Sequence, residues 1–178
     1  DCLLHERLPG VVQFSTLRAR LKITPVNLSR AARELERRGL ARIIHPGRDA
    51  RIEFTFDKKR IWNKASPVFI SPVRYSIRIK AKVKSTIKSG VSALSETTDI
   101  VDNNFLTLAL TANEAKNIPT SKLLRYEGNV VEAWRYDPLL LNGSKDIVDP
   151  LSLCISLKDS SDPRIQIAIE QLLEKTLW

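Results

Sequence analysis

An α+β chain in two modules is the fold this sequence predicts, and two observations predict it. Residues 15–56 read as a helix, a tight turn, a second helix and a β-hairpin, in that order. Residues 74–178 then mix about three short strands with several helices and show no internal repeat. The expected division is 1–60 for the first module, 61–73 for a connection and 74–178 for a smaller-stranded α+β module. The 178 residues suffice for two small modules. A content of 43% hydrophobic and 28% charged residues provides for a core.

The second helix, 25–38, carries most of the information. Thr24 is a good N-cap, because its hydroxyl can accept from a free backbone N–H, and Pro25 suits the first helical position, where no amide donor is needed. Gly39 ends the helix, since a left-handed residue costs glycine little. Leu28, Ala31, Ala32 and Leu35 recur at helical spacing and form an inward face, with Val26, Arg30, Arg33 and Arg37 opposite. Nearest the helix N-terminus, on or beside the outward face, stand Val26, Asn27, Ser29 and Arg30. Residues 41–44 and 51–56 read as strands around the turn His45-Pro46-Gly47-Arg48-Asp49, with Arg48 and Arg51 at or beside the tip. This order is a helix-turn-helix followed by a wing, an arrangement that puts a helix N-terminus against base edges and a hairpin against phosphate. Arginine can donate two bonds to guanine, and asparagine can pair with adenine. A merely solvated helix, with Glu34 and Glu36 pairing the arginines, would show a similar face; the hairpin that follows favours the DNA-reading arrangement.

Residues 24–44, TPVNLSRAARELERRGLARII, and the basic hairpin up to Phe56 resemble the winged helix of MarR-like and related bacterial transcription regulators. The resemblance covers about a third of the chain. It implies base contacts from Val26, Asn27, Ser29, Arg30 and Arg33, and phosphate contacts from Arg48 and Arg51. It carries no effector-binding residue, because residues beyond 60 do not look like the dimerisation helices of MarR proteins. Arg37, Lys58 and Lys59 are further candidates for the DNA backbone, although a charge run such as 58–60 is commonly just solvated.

Charge supports the same division. Residues 1–60 hold 14 Lys+Arg against 7 Asp+Glu, a net of +7, whereas residues 61–178 hold 15 against 13, a net of +2. A basic module attracts polyanions, and phosphate contacts release counterions. A basic membrane-surface helix would need large apolar groups, and helix 25–38 offers mainly Leu and Ala. No apolar run approaches the roughly 20 residues that span a bilayer, and no signal peptide is visible, so a cytoplasmic protein with no membrane partner is expected. Cys2 and Cys154 carry no metal spacing, and Cys154 between Leu153 and Ile155 reads as a small core residue.

The flanking elements follow in order. Residues 1–8 look like the end of a helix broken by Pro9-Gly10. Ser15 is the expected cap of the next helix, with Leu17 and Leu21 inward. The stretch 74–84 alternates strictly, Ile77, Ile79, Ala81 and Val83 against Arg78, Lys80, Lys82 and Lys84. It predicts a half-buried strand whose basic face either contacts an acidic partner or keeps an edge strand unpaired. A short helix is expected over 89–98, strands over 105–110 and 130–136, and a brief helix over 112–117. Asp149-Pro150 and Asp162-Pro163 start two more helices. The last has Ile165, Ile169, Leu172 and Leu173 on one face, which either packs on its own sheet or forms a dimer surface. The C-terminal segment from Trp134 also resembles the end of a group of bacterial winged-helix proteins, some antitoxin-like, and transfers no site.

No catalytic constellation stands out. The two histidines, His5 and His45, lack motif partners, and there is no H-E-x-x-H, G-x-S-x-G, phosphate-binding glycine loop or paired C-x-x-C. The pairs Asp99/Asp102, Asp146/Asp149 and Asp159/Asp162 are the sole hint of a cation site, and Asp149 and Asp162 already have capping roles. The expected function is a homodimeric, double-stranded-DNA-binding regulator, a repressor, with no cofactor, no metal and no catalysis. The alternative is an antitoxin-like or adaptor protein whose C-terminal module binds a protein partner.

Overall fold

The computed structural model describes residues 11–45, 50–80, 86–102, 105–119, 122–141 and 146–177. The fold is mixed α+β with two sheets, and the chain divides into two compact units, Asp1–Val68 and Phe69–Trp178. The expected N-terminal helix over 1–8 and the turn residues 46–49 lie outside the described residues.

Unit 1 runs β1 (Val11–Gln13), α1 (Phe14–Leu21), α2 (Pro25–Arg37), β2 (Ala41–Ile44), β3 (Arg51–Phe54) and α3 (Lys58–Ala65), closing on a 3₁₀ turn at Ser66–Val68. Its sheet has the order β1-β3-β2, antiparallel throughout. Val12, Ile52 and Ile43 align across the three strands. This apolar row joins Leu17 of α1 and Leu28 and Ala32 of α2 in one core, with Phe14, Leu21, Ile23 and Leu35 packed against it. Ala31, expected on the inward face of α2, is exposed. It lies about 60° from the Leu28–Ala32–Leu35 line at roughly 100° per residue, at the rim, and its side chain is too short to reach the core.

Local chemistry explains both ends of α2. Thr24 Oγ1 accepts from Asn27 N at 3.3 Å, and Pro25 occupies the first turn. At the other end Gly39 takes φ +67°, its N–H donates to Glu36 O at 2.9 Å, and Leu40 N–H donates to Leu35 O at 2.9 Å. That pair of bonds is a Schellman closure. Helix α1 starts differently from expectation: Gln13 is its cap, with no side-chain hydrogen bond, and Ser15 lies inside the helix. The residues before it form β1, because β3 supplies a partner some forty positions along the chain. Strand β3 stops at Phe54, two residues before the expected end. Thr55 turns back instead, its hydroxyl donating to Gly39 O at 3.0 Å. Helix α3 runs across the expected boundary at 60/61 into the connection: Asp57 Oδ1 accepts from Arg60 N at 2.8 Å, and Trp62 and Ala65 are buried one turn apart.

Unit 2 contains β4 (Val73–Ile79), α4 (Gly90–Leu94), β5 (Thr107–Thr111), α5 (Ala112–Lys116), β6 (Leu123–Leu124), β7 (Asn129–Trp134), α6 (Pro150–Leu157) and α7 (Pro163–Leu177). Among the described residues, four strands in the order β5-β7-β4-β6 stand where about three were expected; β6 is only two residues long and leaves no periodic signal. Strands β5 and β7 are parallel and joined through α5, and the other pairs are antiparallel. One sheet face holds Ile79, Leu110, Val131 and Ala133 with Ala115 of α5, and Tyr75 and Ile77 pack against them. The alternation of β4 continues to Lys80, with Arg74, Ser76, Arg78 and Lys80 exposed; residues 81–85 lie outside the described set. Strand β6 pairs with β4 at Arg78 and Ile79, so among the described residues the rest of that edge of β4 has no strand partner.

Helix α6 packs along α7, and α4 packs against both and against β5. The starts of α6 and α7 follow expectation: Asp149 Oδ1 accepts from Ser152 N at 3.0 Å and Asp162 Oδ1 from Arg164 N at 2.9 Å. Helix α4 spans only Gly90–Leu94, shorter than the expected 89–98. Strands β5 and β7 are displaced by one or two residues from expectation, leaving Phe105 and Leu106 exposed.

Candidate functional site

The outward face of α2 is held in place by its inward face. Leu28 and Ala32 are 4% and 1% exposed, so the helix cannot rotate without opening the core of unit 1. Opposite them, Val26 is 59% exposed, Asn27, Arg30 and Arg33 are exposed, and Ser29 is half-buried. The five residues expected to read bases therefore occupy one accessible end and flank of the helix. An exposed valine beside arginine and asparagine combines an apolar contact with two kinds of hydrogen-bonding group.

The arginines of α2 differ in their partners. Arg37 donates to both carboxylate oxygens of Glu34, at 2.9 and 2.7 Å, and Arg38 donates to the same carboxylate at 2.6 Å. The hydrogen bonds from Arg37 and then Arg38 hold the Glu34 carboxyl down at about 2. Glu36 pairs with no arginine among the described residues; its Oε1 accepts from Ile43 N at 2.9 Å and ties the helix to β2. Among the described residues, no carboxylate pairs with Arg30 or Arg33. Among the described residues, the arginines of α2 without a carboxylate partner are thus Arg30, at the middle of the helix, and Arg33, one turn further on.

The hairpin places Arg51 exposed at the start of β3, level with Ile44 of β2 and Gln13 of β1. Arg48 lies outside the described residues. Lys58 is half-buried and Lys59 exposed at the start of α3. The same helix carries a feature missed in the sequence: Arg60 Cζ lies 4.3 Å and Lys64 Nζ 5.1 Å from the centre of the Phe56 ring. The signal available was the spacing of Phe56, Arg60 and Lys64, four residues apart each time.

The final helix uses its apolar face within unit 2. Ile165, Ile169 and Leu172 are 9%, 6% and 3% exposed, and Leu173 is half-buried. That face, read from the sequence as either packing on its own sheet or forming a dimer surface, meets α6 and α4 of the same chain. The exposed apolar groups nearby are Ile167 and Val101, at 57% and 83%, which line a groove of about 310 Å³ with Asp99, Ile100, Arg164 and Ala168.

Unit 2 also has a buried polar cluster that the sequence did not reveal. The Glu132 carboxylate accepts from Ser89 Oγ and, at 3.2 Å, from Trp134 Nε1. Burial pushes the Glu132 carboxyl above its ordinary value, against the lowering effect of those two donors. Tyr136 Oη and Ser152 Oγ share a hydrogen bond of 2.6 Å. Burial, with Asp149 nearby, pushes the Cys154 thiol up to about 12, so Cys154 is an inert core thiol. Gly90 is required beside this cluster: it takes φ +52°, and a Cβ there would lie 2.8 Å from Thr107 Cγ2.

Among the described residues, no group of three or more His, Cys, Asp or Glu is placed to hold a metal ion. Among them, too, no helix is long and apolar enough to cross a membrane. The chain matches no protein-family model, no curated protein and no solved structure.

Proposed function

We propose that this chain is a sequence-specific double-stranded-DNA-binding transcriptional regulator, acting as a repressor in the cytoplasm, with unit 1 as a winged helix-turn-helix. Helix α2 enters the major groove by its N-terminal half, with Val26, Asn27, Ser29, Arg30 and Arg33 toward the bases. The hairpin, with Arg51 at the start of β3, meets the phosphates, and Arg48, Lys58 and Lys59 add to that contact. Arg37 takes a smaller part, because Glu34 already neutralises it. The observation that carries this reading is the outward face of α2, where Arg30 and Arg33 stand exposed without a carboxylate partner among the described residues. The element order and the β1-β3-β2 sheet support it. A single helix covers few base pairs, so a homodimer reading two half-sites is part of the proposal.

The test is a salt titration of binding to the DNA upstream of the protein's own gene, against a scrambled duplex of equal length. Preference for the upstream duplex and a steep loss with salt are the expected results. Arg30→Ala should then weaken that binding by about 5- to 150-fold, if it makes a bidentate base contact, while shifting stability by no more than about 0.5 kcal/mol. Equal and weak affinity for both duplexes would count against the reading. A second reading, unit 2 as the binding module for a protein partner, is favoured by the exposed Val101 and Ile167 beside their groove. In that case Arg30→Ala leaves the partner interaction intact.

A further inference from the structure

Two cations lie on the Phe56 ring with no carboxylate partner among the described residues, and from this we infer that Phe56, Arg60 and Lys64 form a preorganised anchor for one stretch of nucleic-acid phosphate backbone. The anchor is separate from helix α2 and from the hairpin, and it rests on the DNA-binding reading of unit 1.

Asp57 sets the start of α3. Its side chain caps α3 by accepting from Arg60 N at 2.8 Å, which fixes the first turn of the helix directly after Phe56. Buried Trp62 and Ala65 fix the inward face of that helix. Arg60 and Lys64 are four residues apart, so they project from the same side of α3. Both are exposed, and both reach the Phe56 ring, at 4.3 and 5.1 Å. Two like charges on one ring repel each other, and among the described residues no carboxylate pairs with either. Asp57, the nearest acid in sequence, has its Oδ1 engaged at the cap. An anion placed between the two cations relieves their repulsion. The ring's attraction for both cations lowers the side-chain entropy lost when that anion binds. A phosphodiester backbone suits the pair: arginine supplies a planar fork of donors and lysine a mobile point charge.

The experiment compares wild type, Arg60→Ala, Lys64→Ala, Phe56→Leu and Phe56→Tyr, titrated with salt on the upstream duplex, with a thermal melt of each. The two charge deletions should each flatten the plot of log K against log salt by about 0.9, the value for one phosphate contact. Phe56→Leu keeps both charges, so its slope should stay at the wild-type value while affinity falls by about 2- to 5-fold, the size of an exposed cation–π contact. Phe56→Tyr, which keeps the ring, should restore affinity. Unchanged slopes in both charge deletions would overturn the anchor. Phe56→Leu binding as tightly as wild type, or losing affinity only in step with its melting temperature, would overturn the positioning role of the ring. A wild-type chain that binds neither duplex with any salt dependence would overturn the DNA-binding reading itself, and the anchor with it.

Discussion

Among the described residues, unit 1 buries no charged side chain, whereas in unit 2 two carboxyls and three serines lie inside the core. Arg30, Arg33 and Arg51 are exposed around a core of Val12, Leu17, Leu28, Ala32, Ala41 and Ile52. Among the described residues, the buried polar ones are Ser89, Ser92, Glu132, Asp149 and Ser152, and these belong to unit 2. The contrast separates two uses of polarity. An exposed, unpaired charge is available to a ligand and contributes little to stability. A buried polar group must have its partners in place, and so it restricts the packing to the arrangement that supplies them.

The comparison can be broken most forcefully at Trp134. It is 1% exposed and donates to Glu132, so Trp134→Ala opens a cavity and removes one of the carboxyl's donors. A loss of about 3–5 kcal/mol is expected for such a truncation, read as a lowered urea midpoint. A loss under about 1 kcal/mol would mean that the cluster is not a buried unit. Leu28→Ala tests the opposite case, an apolar core with no polar partner to strand. Its expected cost is about 2–4 kcal/mol, with far-UV circular dichroism reporting loss of helix as the variant melts earlier.

A pH series sharpens the contrast. Burial raises the Glu132 carboxyl above its ordinary 4.5, so the folded chain binds this proton more tightly than the unfolded chain. The resulting stability is complete below about pH 4.5 and is lost as pH rises through the higher folded value. The slope from this one group cannot exceed about 1.4 kcal/mol per pH unit. Glu132→Gln keeps the shape without the titration, and the difference between the two stability profiles should grow in the variant's favour from pH 4.5 upward. Parallel profiles would show that Glu132 is not desolvated. The smallest effect belongs to Gly39. Nothing lies within 4 Å of a Cβ built there, so Gly39→Ala should cost only the backbone strain at φ +67°, about 1 kcal/mol. A larger loss in the urea midpoint would reveal a packing role for the α2 terminus.

Much of unit 1 is legible in the sequence. Thr24, Pro25 and Gly39 bracket α2 where their chemistry says they should, and the outward placement of Val26, Arg30, Arg33 and Arg37 follows from helical period alone. The Glu34 pairing was visible as a possibility, since residues three and four apart on a helix are neighbours. Helix α3 was hidden because a Lys-Lys-Arg run masks the cap at Asp57. The buried Glu132 was hidden because a carboxylate on a strand ordinarily marks the solvent side, and Ser89, its partner, is 43 residues away.

By itself, then, the sequence determined what residues within about four positions of one another can settle: the caps of α2, α6 and α7, the stop at Gly39, the alternation along β4 and the concentration of positive charge before residue 61. Only the tertiary structure decided which surfaces were covered. Strand β1 exists because β3 lies beside it, and Ile165, Ile169 and Leu172 are buried because α6 and α4 meet them. The physical reason is range. Capping and helical period are set by bonds between near neighbours, whereas burial depends on segments that folding brings together from distant positions, and an apolar stripe looks the same in sequence whichever partner covers it.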